Sequence, residues 1–573
     1  MGISCGASVS DQDWPMYMNN VERTGVSGNT LPPTTETAWK FSTGEMRLYA
    51  PPAVCDGVAY VLGQKFFAVD ASIGRELWSY PITALEDFKA ANTTNWHFWS
   101  EWASPTVYGD RVFITSSMDN EIVALDRTPG DGIDESYDDP DDAGYDVIWK
   151  LPVAGQNIFG SRSSPLVVDD ILYVGTAEGD LIAVDTLNMD EQSTENVTPK
   201  ILWKYHVGTR IDSAPSYFDD KVYIGTWDIH NRPPEYVFDE NDTYITALDA
   251  TPDDGSDDGM PDETGAGYDV IWRARLGDLI WGTPTIDAET GVVYIGSTDM
   301  KMYALDAATG AEKWNFTANG PVYSAPALAD DRLYFGTSEP GNSLYALEAG
   351  SGKFVWRYQA DEKVAASPIV ADGLVISPVM SGRVNALYPA GNGDGTTSLM
   401  WTLELGGRIR ASPVLASGRL YLSCWDSNLY SIGRYPAVDL RVSGFIVEGD
   451  SSEATLEFML LNLGESMLTN STVYVYDGFR LIYNRTLGIF PPNGKYVIRH
   501  IMTDVEPRDH YYKIRLDYTD ETGEQKIYLW NSTATIEKHV VPSFIPAPGA
   551  GWVVASITAA ALGAGLYRHR RRQ

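Results

Sequence analysis

Aromatic and basic side chains are concentrated in a few parts of this sequence, in a combination that suits an anionic or planar ligand. The aromatic part consists of the segments "NTTNWHFWSEW" and "GTWDIHNRPPEYVF", whose candidate binding residues are Trp96, His97, Trp99, Trp102, Trp227, His230 and Arg232. The basic part stands five or three residues before a recurring proline and consists of Arg47, Arg162, Arg210, Lys363, Arg408 and Arg410. Guanidinium groups bind anions, and aromatic rings stack on flat groups. The alternative is that the aromatics fold over the protein's own strands and the arginines pair with nearby Asp and Glu.

Acidic residues gather in two other segments, "DRTPGDGIDESYDDPDDAGYD" and "DATPDDGSDDGMPDETGAGYD". Ca²⁺ prefers several oxygen ligands from a flexible loop, so these segments are candidate calcium sites. The candidate ligands are Asp131, Asp134, Asp138, Asp253, Asp257 and Asp262. Their spacing differs from that of an EF-hand loop, and a solvated acidic loop without a metal is the alternative.

Familiar catalytic motifs are missing from the sequence. It contains no HExxH, phosphate-binding loop, CxxC or Ser/His/Asp order, and Cys5, Cys55 and Cys424 are far apart. With 78 acidic and 42 basic residues the net charge is −36, which argues against nucleic acid as a partner. We therefore assign no catalytic residue.

A repeat that covers most of the chain must position these side chains. A Trp recurs eight times, as Trp39, Trp78, Trp149, Trp203, Trp272, Trp314, Trp356 and Trp401, and it alternates with a Pro. Pro284, Pro326 and Pro368 are 42 residues apart, the length of a four-stranded propeller blade. Runs of Val, Ile, Leu and Tyr between the anchors indicate antiparallel strands. The pattern predicts an all-β, eight-bladed propeller of four-stranded blades over residues 14–436, completed by the N-terminal strand around Trp39.

The loops of such a blade leave it alternately on two faces. This order places the two aromatic segments on one face and the two acidic segments on the opposite face. Because side chains alternate along a strand, the basic positions before each Pro fall on one side of the first strand, near the central mouth.

The repeat resembles the pyrroloquinoline-quinone-type (PQQ-like) propeller family. The resemblance is carried by Ala304-Leu305-Asp306 through Gly310 to Trp314, by Ala68-Val69-Asp70 through Gly74 to Trp78, and by the opening "DWPMYMNNVERTG". In this motif we expect the Asp to cap a turn, the Gly to take a positive φ, and the Trp to pack between blades. The resemblance also implies a relation to quinoprotein dehydrogenases, which typically carry adjacent cysteines beside the cofactor. No two cysteines are adjacent here, which argues against PQQ.

A second domain follows the repeat. Residues 437–540 alternate apolar and polar side chains over short segments, which is typical of an Ig-like β-sandwich. The segments "LLNLGES" and "STVYVYDG" resemble CARDB-like adhesion modules of prokaryotic cell surfaces. We expect this domain to act as a spacer or adhesive module.

The C-terminus predicts a membrane anchor. A Pro-rich linker, residues 541–548, precedes 19 uncharged residues, 549–567, and a basic tail, 568–573. The positive-inside rule places this tail in the cytoplasm and both folded domains outside the cell. Such an orientation requires an export signal, which the N-terminal tail, residues 1–13, does not contain. Cys5 as a lipid-attachment site, and cleavage of a C-terminus that resembles archaeal sorting tails, remain open.

Three functions are consistent with these features. We favour a non-catalytic, membrane-anchored cell-surface protein whose propeller binds an extracellular protein, a polysaccharide or a small ligand. An exported PQQ-dependent dehydrogenase is the second hypothesis. Sugar binding through the tryptophan-rich segment is the third, because indole rings stack on pyranose faces.

Overall fold

The structure is a computed structural model, and its strands belong to two compact units, Met1–Arg434 and Tyr435–Gln573. It describes residues 13–32, 34–82, 102–129, 145–153, 161–189, 198–208, 210–226, 243–251, 270–433, 440–449, 453–462, 468–477, 480–491, 494–503, 510–519 and 525–534. These residues form strands, turns and bends, and no α-helix occurs among them. Within these ranges, no helix is long and apolar enough to cross a membrane. The predicted span, residues 549–567, lies outside them.

The first unit consists of short strands. Those in its first half are β1 (Val26–Ser27), β2 (Thr37–Ser42), β3 (Ala53–Cys55), β4 (Val58–Leu62), β5 (Lys65–Asp70), β6 (Glu76–Pro81), β7 (Thr106–Tyr108), β8 (Arg111–Ser116), β9 (Glu121–Asp126), β10 (Val147–Pro152), β11 (Leu166–Val168), β12 (Ile171–Gly175), β13 (Asp180–Met189), β14 (Pro199–His206), β15 (Ser216–Phe218), β16 (Lys221–Gly225), β17 (Tyr244–Asp249) and β18 (Val270–Arg275). Those in its second half are β19 (Thr285–Asp287), β20 (Val292–Gly296), β21 (Lys301–Asp306), β22 (Glu312–Thr317), β23 (Ala327–Ala329), β24 (Arg332–Gly336), β25 (Ser343–Glu348), β26 (Phe354–Gln359), β27 (Ile369–Ala371), β28 (Leu374–Pro378), β29 (Arg383–Leu387), β30 (Leu399–Glu404), β31 (Val414–Ala416), β32 (Arg419–Cys424) and β33 (Asn428–Ile432).

These strands form antiparallel sheets of the β-propeller type. Six sheets contain four consecutive strands each, namely β3–β6, β7–β10, β11–β14, β15–β18, β19–β22 and β23–β26. Strands β27–β30 form another such sheet, and β1 adds to it in parallel beside β27. The last sheet has the order β2-β33-β32-β31. The strand around Trp39 therefore completes the last repeat, as the sequence predicts.

The repeated Asp, Gly and Trp hold neighbouring sheets together. The Asp306 carboxylate accepts hydrogen bonds from the backbone N–H of Ala308 and Thr309 at 3.2 and 3.1 Å and so caps the turn that precedes β22. Gly310 follows with a φ of 70°. The indole N–H of Trp272, in the preceding sheet, donates to the carbonyl of Ala307 in that turn at 2.8 Å. The motif thus builds the interface between one sheet and the next.

The same contact recurs around the unit. Among the described residues, six repeat tryptophans donate to the turn of the next sheet, in the pairs Trp39–Ala71, Trp78–Arg127, Trp203–Ala250, Trp272–Ala307, Trp314–Ala349 and Trp356–Pro389. Trp149 is buried as well, and Trp401 packs partly buried against a core cluster. The pair Trp39–Ala71 joins the last sheet to the first.

Replacing Gly352 with alanine should lower the free energy of unfolding by about 2 to 4 kcal/mol. Gly352 has a φ of 67°, and a Cβ there would come within 2.6 Å of the Trp314 ring. Gly350, two residues earlier, has open space around it, so Gly350→Ala is the matched control and should change stability by less than about 0.5 kcal/mol. Chemical denaturation of both variants measures the difference. Equal stabilities would show that the tryptophan contact does not require glycine.

Residues 13–29 cross the first strands of the sheets one after another. The N–H of Val107 donates to Pro15, that of Tyr217 to Val21, that of Ile286 to Glu22, that of Leu328 to Thr24 and that of Val370 to Gly25, at 2.8 to 3.0 Å. Trp14 and Val54 exchange two backbone hydrogen bonds at 2.7 and 2.8 Å. The Asn29 side chain donates to Leu415 at 3.3 Å. We name this segment the N-terminal strap.

Arg23 of the strap is buried and bonds only to backbone carbonyls in the contacts resolved for it. Its Nε donates to Pro215 at 3.0 Å, its Nη1 to Tyr17 at 2.5 Å and its Nη2 to Pro165 at 3.3 Å. Through Pro165 the strap also reaches the sheet of β11–β14, so it contacts every sheet of the first unit. The opening motif that resembles the PQQ-like family therefore has a structural role.

The second unit contains two antiparallel sheets. Its strands are β34 (Leu440–Gly449), β35 (Glu453–Asn462), β36 (Leu468–Asp477), β37 (Arg480–Phe490), β38 (Lys495–Thr503), β39 (His510–Thr519) and β40 (Gln525–Ala534). One sheet has the order β34-β35-β38 and the other the order β37-β36-β39-β40. Buried side chains from both sheets, among them Phe458, Val475, Ile498 and Leu516, share one hydrophobic core.

Candidate functional site

A cavity of ≈ 110 Å³ lies in the first unit, where the first strands of the sheets converge. Eight of its lining residues occupy the same place in each repeat, three residues before the recurring Pro: Tyr49, Trp102, Arg162, Asp212, Trp281, Tyr323, Ala365 and Arg410. Because side chains two apart on an extended chain point to one side, residues directly before the Pro also contribute, namely Pro51, Ser164, Ala214, Thr283, Ser367 and Ser412. Each repeat thus gives the cavity one equivalent side chain.

Trp102 lies at the centre of an aromatic and cationic cluster. The Tyr49 ring packs against it with centroids 4.3 Å apart, and Trp281 lies 6.5 Å away. The guanidinium groups of Arg162 and Arg410 lie over the Trp102 ring at 4.4 and 4.6 Å. Such cation–π contacts orient the two guanidinium groups toward the cavity without neutralising their charge.

Asp212 is the one carboxylate among the side chains described as lining the cavity. It accepts a hydrogen bond from Arg210 Nε at 2.7 Å, and Arg162 Nη1 lies 3.6 Å from its other oxygen. The side chains of Asp212 and Arg210 are 2% and 1% exposed, so this ion pair is buried. The described charged side chains of this cluster are therefore three cations and one anion, and their charges sum to +2.

Burial changes the acid–base behaviour of these cations. It lowers the pKa of Arg162 to about 10, opposed by Asp212 and reinforced by Arg210 and Arg410. It also lowers the pKa of Arg410. A lowered pKa means that the interactions in the site do not fully compensate for the desolvation of the charged form. A bound anion would supply further compensation.

Arg410 differs from the other two arginines in its partners. Arg162 and Arg210 both contact Asp212, whereas no carboxylate within the described ranges forms an ion pair with Arg410. Its guanidinium instead contacts the rings of Trp102, Trp281 and Tyr49, the latter two at 5.6 and 5.9 Å. Arg410 is therefore the cation best placed to bind an anionic ligand.

Tyr17 of the N-terminal strap forms part of the cavity wall. Its hydroxyl is hydrogen-bonded to Ser367 Oγ at 2.9 Å, and burial raises its pKa. Arg23 lies 6.0 Å from the Tyr17 ring. The strap that crosses the sheets therefore also shapes the cavity.

A second group of cations surrounds Trp425. Arg47 and Arg408 lie over its ring at 5.0 and 5.9 Å, and Trp425 packs on Tyr49 of the cavity at 4.8 Å. Arg408 is paired with Glu362 at 3.1 Å. Lys363, the remaining predicted cation, lies 3.7 Å from Glu339. Arg408 and Lys363 therefore pair with nearby acidic residues, which is the alternative to ligand binding that the sequence left open.

Several predicted site residues lie outside the described residues. These are Trp96, His97, Trp99, Trp227, His230 and Arg232 of the aromatic segments, and all six candidate calcium ligands, Asp131, Asp134, Asp138, Asp253, Asp257 and Asp262. The structure brings together Trp102, Arg162, Arg210 and Arg410 from the predicted set. It adds Tyr17, Tyr49, Asp212, Trp281, Tyr323 and Trp425, which we did not predict. Four of these, namely Tyr49, Asp212, Trp281 and Tyr323, stand three residues before the recurring Pro. Applying that spacing to all eight repeats identifies them.

Among the described residues, one other group of potential metal ligands lies near the start of the first sheet. Oxygen and sulfur atoms of Asp13, Cys55 and Asp56 lie within 4.8 Å of one another. Asp56 is already paired with Arg127 at 2.9 Å, and its backbone N–H donates to Asp13. These partners account for the group without a metal.

The sheets and the central cavity define a β-propeller of the PQQ-like repeat class. The family model described as "Outer membrane protein assembly factor BamB" matches residues 29–226 and 262–432. The chain therefore belongs to this family.

Curated relatives with quinone-dependent activities also match. The quinoprotein ethanol dehydrogenase of Pseudomonas aeruginosa is 25% identical over 211 residues, which are 34% of this chain and 30% of that protein. The quinoprotein glucose dehydrogenase of Escherichia coli is 22% identical over 353 residues, 56% of this chain and 42% of that protein. This chain thus spans less than half the length of each of these relatives.

A solved structure supports the same fold. The quinohemoprotein alcohol dehydrogenase from Comamonas testosteroni has a TM-score of 0.53 at 14% identity, covering 78% of this chain and 84% of that chain. At this identity the likeness concerns the fold alone.

The cavity can be compared with the cofactors of quinoprotein dehydrogenases. Ca²⁺ takes six to eight oxygen ligands, whereas the described cavity lining offers the carboxylate of Asp212, which two arginines already hold. Cys55 and Cys424 are buried and form no disulfide, and neither has an adjacent cysteine. The cavity of ≈ 110 Å³ is also smaller than the roughly 150 Å³ that holds a benzene ring, while PQQ contains three fused rings. The described lining of this cavity therefore does not suit calcium or PQQ.

Proposed function

We propose that this protein is a non-catalytic binding propeller whose central cavity takes an anionic ligand. The observation that carries the proposal is the partly buried guanidinium of Arg410, which contacts aromatic rings and has no ion-pair partner within the described ranges. Burying a cation without a counter-charge is unfavourable, so a ligand that supplies negative charge would offset much of the desolvation penalty. The strongly acidic chain, with a net charge of −36, makes this cationic cavity distinctive.

The architecture under this proposal is a closed ring of eight blades over residues 14–436. Three features support this blade count. The N-terminal strap contacts all eight sheets, and the first strand β3 contacts β31 of the last sheet. The Trp39 indole also donates to Ala71 of the first sheet. A closed ring holds the eight equivalent cavity positions at fixed distances from one another.

We further propose that the propeller is displayed outside the cell. The apolar residues 549–567 and the basic tail that follows them support a single-pass anchor with a cytoplasmic C-terminus. The two-sheet unit between propeller and anchor would be an Ig-like, CARDB-like spacer over residues 437–540. An exposed anchored propeller would meet a protein, a polysaccharide or a small ligand from the surroundings.

A PQQ-dependent dehydrogenase is the second candidate, and the curated relatives favour it. The cavity residues speak against it, because the described donors and volume do not suit the quinone or its calcium. Sugar binding is the third candidate. Of the residues predicted to stack on a sugar, Trp102 is described, and its ring already packs against Tyr49 and two guanidinium groups.

Sulfate binding by the full-length protein tests the proposal. At millimolar sulfate and low ionic strength we expect one site per chain in calorimetry, weakened about 10- to 100-fold by Arg410→Gln, since a charge-assisted hydrogen bond contributes about 1.5 to 3 kcal/mol. The control is Arg383→Gln, an exposed arginine that Asp361 and Glu404 already pair. It should bind sulfate like the wild type. Equal binding by the wild type and Arg410→Gln would contradict the proposal.

A further inference from the structure

The charged groups of the cavity favour a ligand with a single negative charge. Arg210 and Arg162 both contact the Asp212 carboxylate, at 2.7 and 3.6 Å, so their interactions do not depend on a ligand. Burial lowers the pKa of Arg410 in spite of nearby groups, Asp212 among them. One negative charge would pair with Arg410. A second one in the same small space would lie beside the buried carboxylate of Asp212 and be repelled by it.

Hydroxyl groups of the cavity wall add hydrogen-bond donors. Ser164 Oγ accepts the backbone N–H of Ser104 at 2.8 Å, and Thr283 Oγ1 accepts that of Ala214 at 3.0 Å. A hydroxyl that accepts one hydrogen bond still has its own hydrogen to donate, and the described residues supply no acceptor for these two hydrogens. Together with the Arg410 guanidinium, they suit the oxygens of a carboxylate.

The space for the ligand comes from one unusual repeat, and it is small. At the position three residues before Pro, seven repeats carry a large or charged side chain, and one carries Ala365. A cavity of roughly 150 Å³ holds benzene, so each heavy atom of a ligand needs about 25 Å³. The volume of ≈ 110 Å³ therefore holds about four heavy atoms. This size excludes a ring.

One part of the wall is apolar. Ala214, Ala365 and Ala366 present small side chains to the cavity, and Trp281 packs edge-to-face on Tyr323 with centroids 5.6 Å apart. Methyl groups offer no hydrogen to a ligand oxygen, so an anion with oxygens on every side would leave some of them without a donor. An alkyl group loses nothing there. The cavity therefore favours an anion with oxygens at one end and an alkyl group at the other.

From the charge, the donors, the volume and the apolar wall, we propose that the ligand is a short-chain monocarboxylate, acetate or propionate in size. Its carboxylate pairs with Arg410, and its alkyl group lies in the space left by Ala365. This inference rests on the anion-binding function proposed above. Sulfate, with two charges and no alkyl group, remains a probe of the site but is the weaker ligand.

Proton NMR of acetate in the presence of the full-length protein tests the ligand class, because the methyl signal broadens on binding. Formate, propionate, butyrate, nitrate and sulfate compete with acetate at constant ionic strength. So small a ligand makes few contacts, and we expect a dissociation constant of about 0.1 to 10 mM for the best acid. Acetate or propionate should bind about fivefold or more tightly than butyrate, nitrate and sulfate.

Three variants show whether the cavity is the site. Arg410→Lys keeps the charge but loses the planar pair of donors, and should weaken acetate about tenfold. Ala365→Leu fills the alkyl space and should weaken propionate about tenfold or more, and formate less. Arg383→Gln, which changes an exposed and already paired arginine, should bind acetate like the wild type.

The outcomes separate this inference from the proposed function. If sulfate or nitrate binds as tightly as the best monocarboxylate and Arg410→Gln abolishes that binding, the cavity binds anions but the monocarboxylate is overturned. If butyrate or benzoate binds as tightly as acetate and propionate, the size argument is overturned. If no anion, sulfate included, responds to Arg410→Gln, both the inference and the proposed function fail.

Discussion

Replacing Arg23 with methionine should lower the free energy of unfolding of the propeller by about 3 kcal/mol. The Arg23 guanidinium donates to three backbone carbonyls, those of Tyr17, Pro165 and Pro215, inside the buried strap. Methionine fills similar space but donates nothing, so these carbonyls would lose their donor at about 1 to 3 kcal/mol each. The desolvation of the cation, seen in a pKa lowered to about 9, is then no longer required and offsets part of that loss.

Arg332→Met is the matched control for this prediction. Its Nη1 also donates to two backbone carbonyls, of Pro389 and Ala390, at 2.8 and 3.2 Å, but the side chain is only half-buried. Water can replace its hydrogen bonds, so we expect a clearly smaller loss. Urea denaturation monitored by tryptophan fluorescence measures both variants. A stability of Arg23→Met equal to that of the wild type would show that the strap does not depend on this arginine.

Replacing Asp212 with asparagine should lower the stability of the protein and increase its affinity for an anion. Without the carboxylate, the buried side chain of Arg210 loses its ion-pair partner, and we expect a loss of about 3 to 5 kcal/mol of unfolding free energy. The charge of the cluster would rise from +2 to +3, because one of four charged groups is neutralised. An anion should then bind more tightly, and saturating sulfate should restore part of the lost stability.

Asp361→Asn controls for the loss of a carboxylate. Asp361 is paired with Arg383 at 3.0 Å, and both side chains are more than two-fifths exposed. Such surface pairs contribute little, so neither stability nor sulfate binding should change much. If Asp212→Asn lost stability but did not bind sulfate more tightly, Asp212 would be a structural residue without influence on the ligand.

The sequence pattern predicted the β-propeller class and its four-stranded antiparallel sheets because the repeat carries its own constraints. Asp306, Gly310 and Trp272 show how a turn, a positive φ and a contact to the next sheet follow from three residue types. The same regular spacing placed Arg162 and Arg410 near the centre. These predictions rest on local geometry, which the period of the repeat preserves.

The partners within the site could not be predicted in the same way. Asp212 follows Arg210 by two residues, but its contact with Arg162 of the preceding repeat, and the packing of Trp425 on Tyr49, join residues that are far apart in the sequence. The strap is visible in the sequence as an opening motif, but its path across the sheets depends on backbone hydrogen bonds. Backbone groups are the same for nearly all residue types, so the residue pattern does not predict this path. The size of the cavity depends on Ala365, which looks unremarkable until all eight repeats are aligned.

A crystal structure of the full-length protein with selenate tests the central claim most directly. Selenate is a doubly charged analogue of sulfate, and its selenium can be located by anomalous scattering. We predict an anomalous peak inside the cavity, with selenate oxygens within hydrogen-bond distance of the Arg410 guanidinium, and no such peak in Arg410→Gln. Selenate bound only at surface cations such as Arg383, with none in the cavity, would contradict an anion-binding propeller.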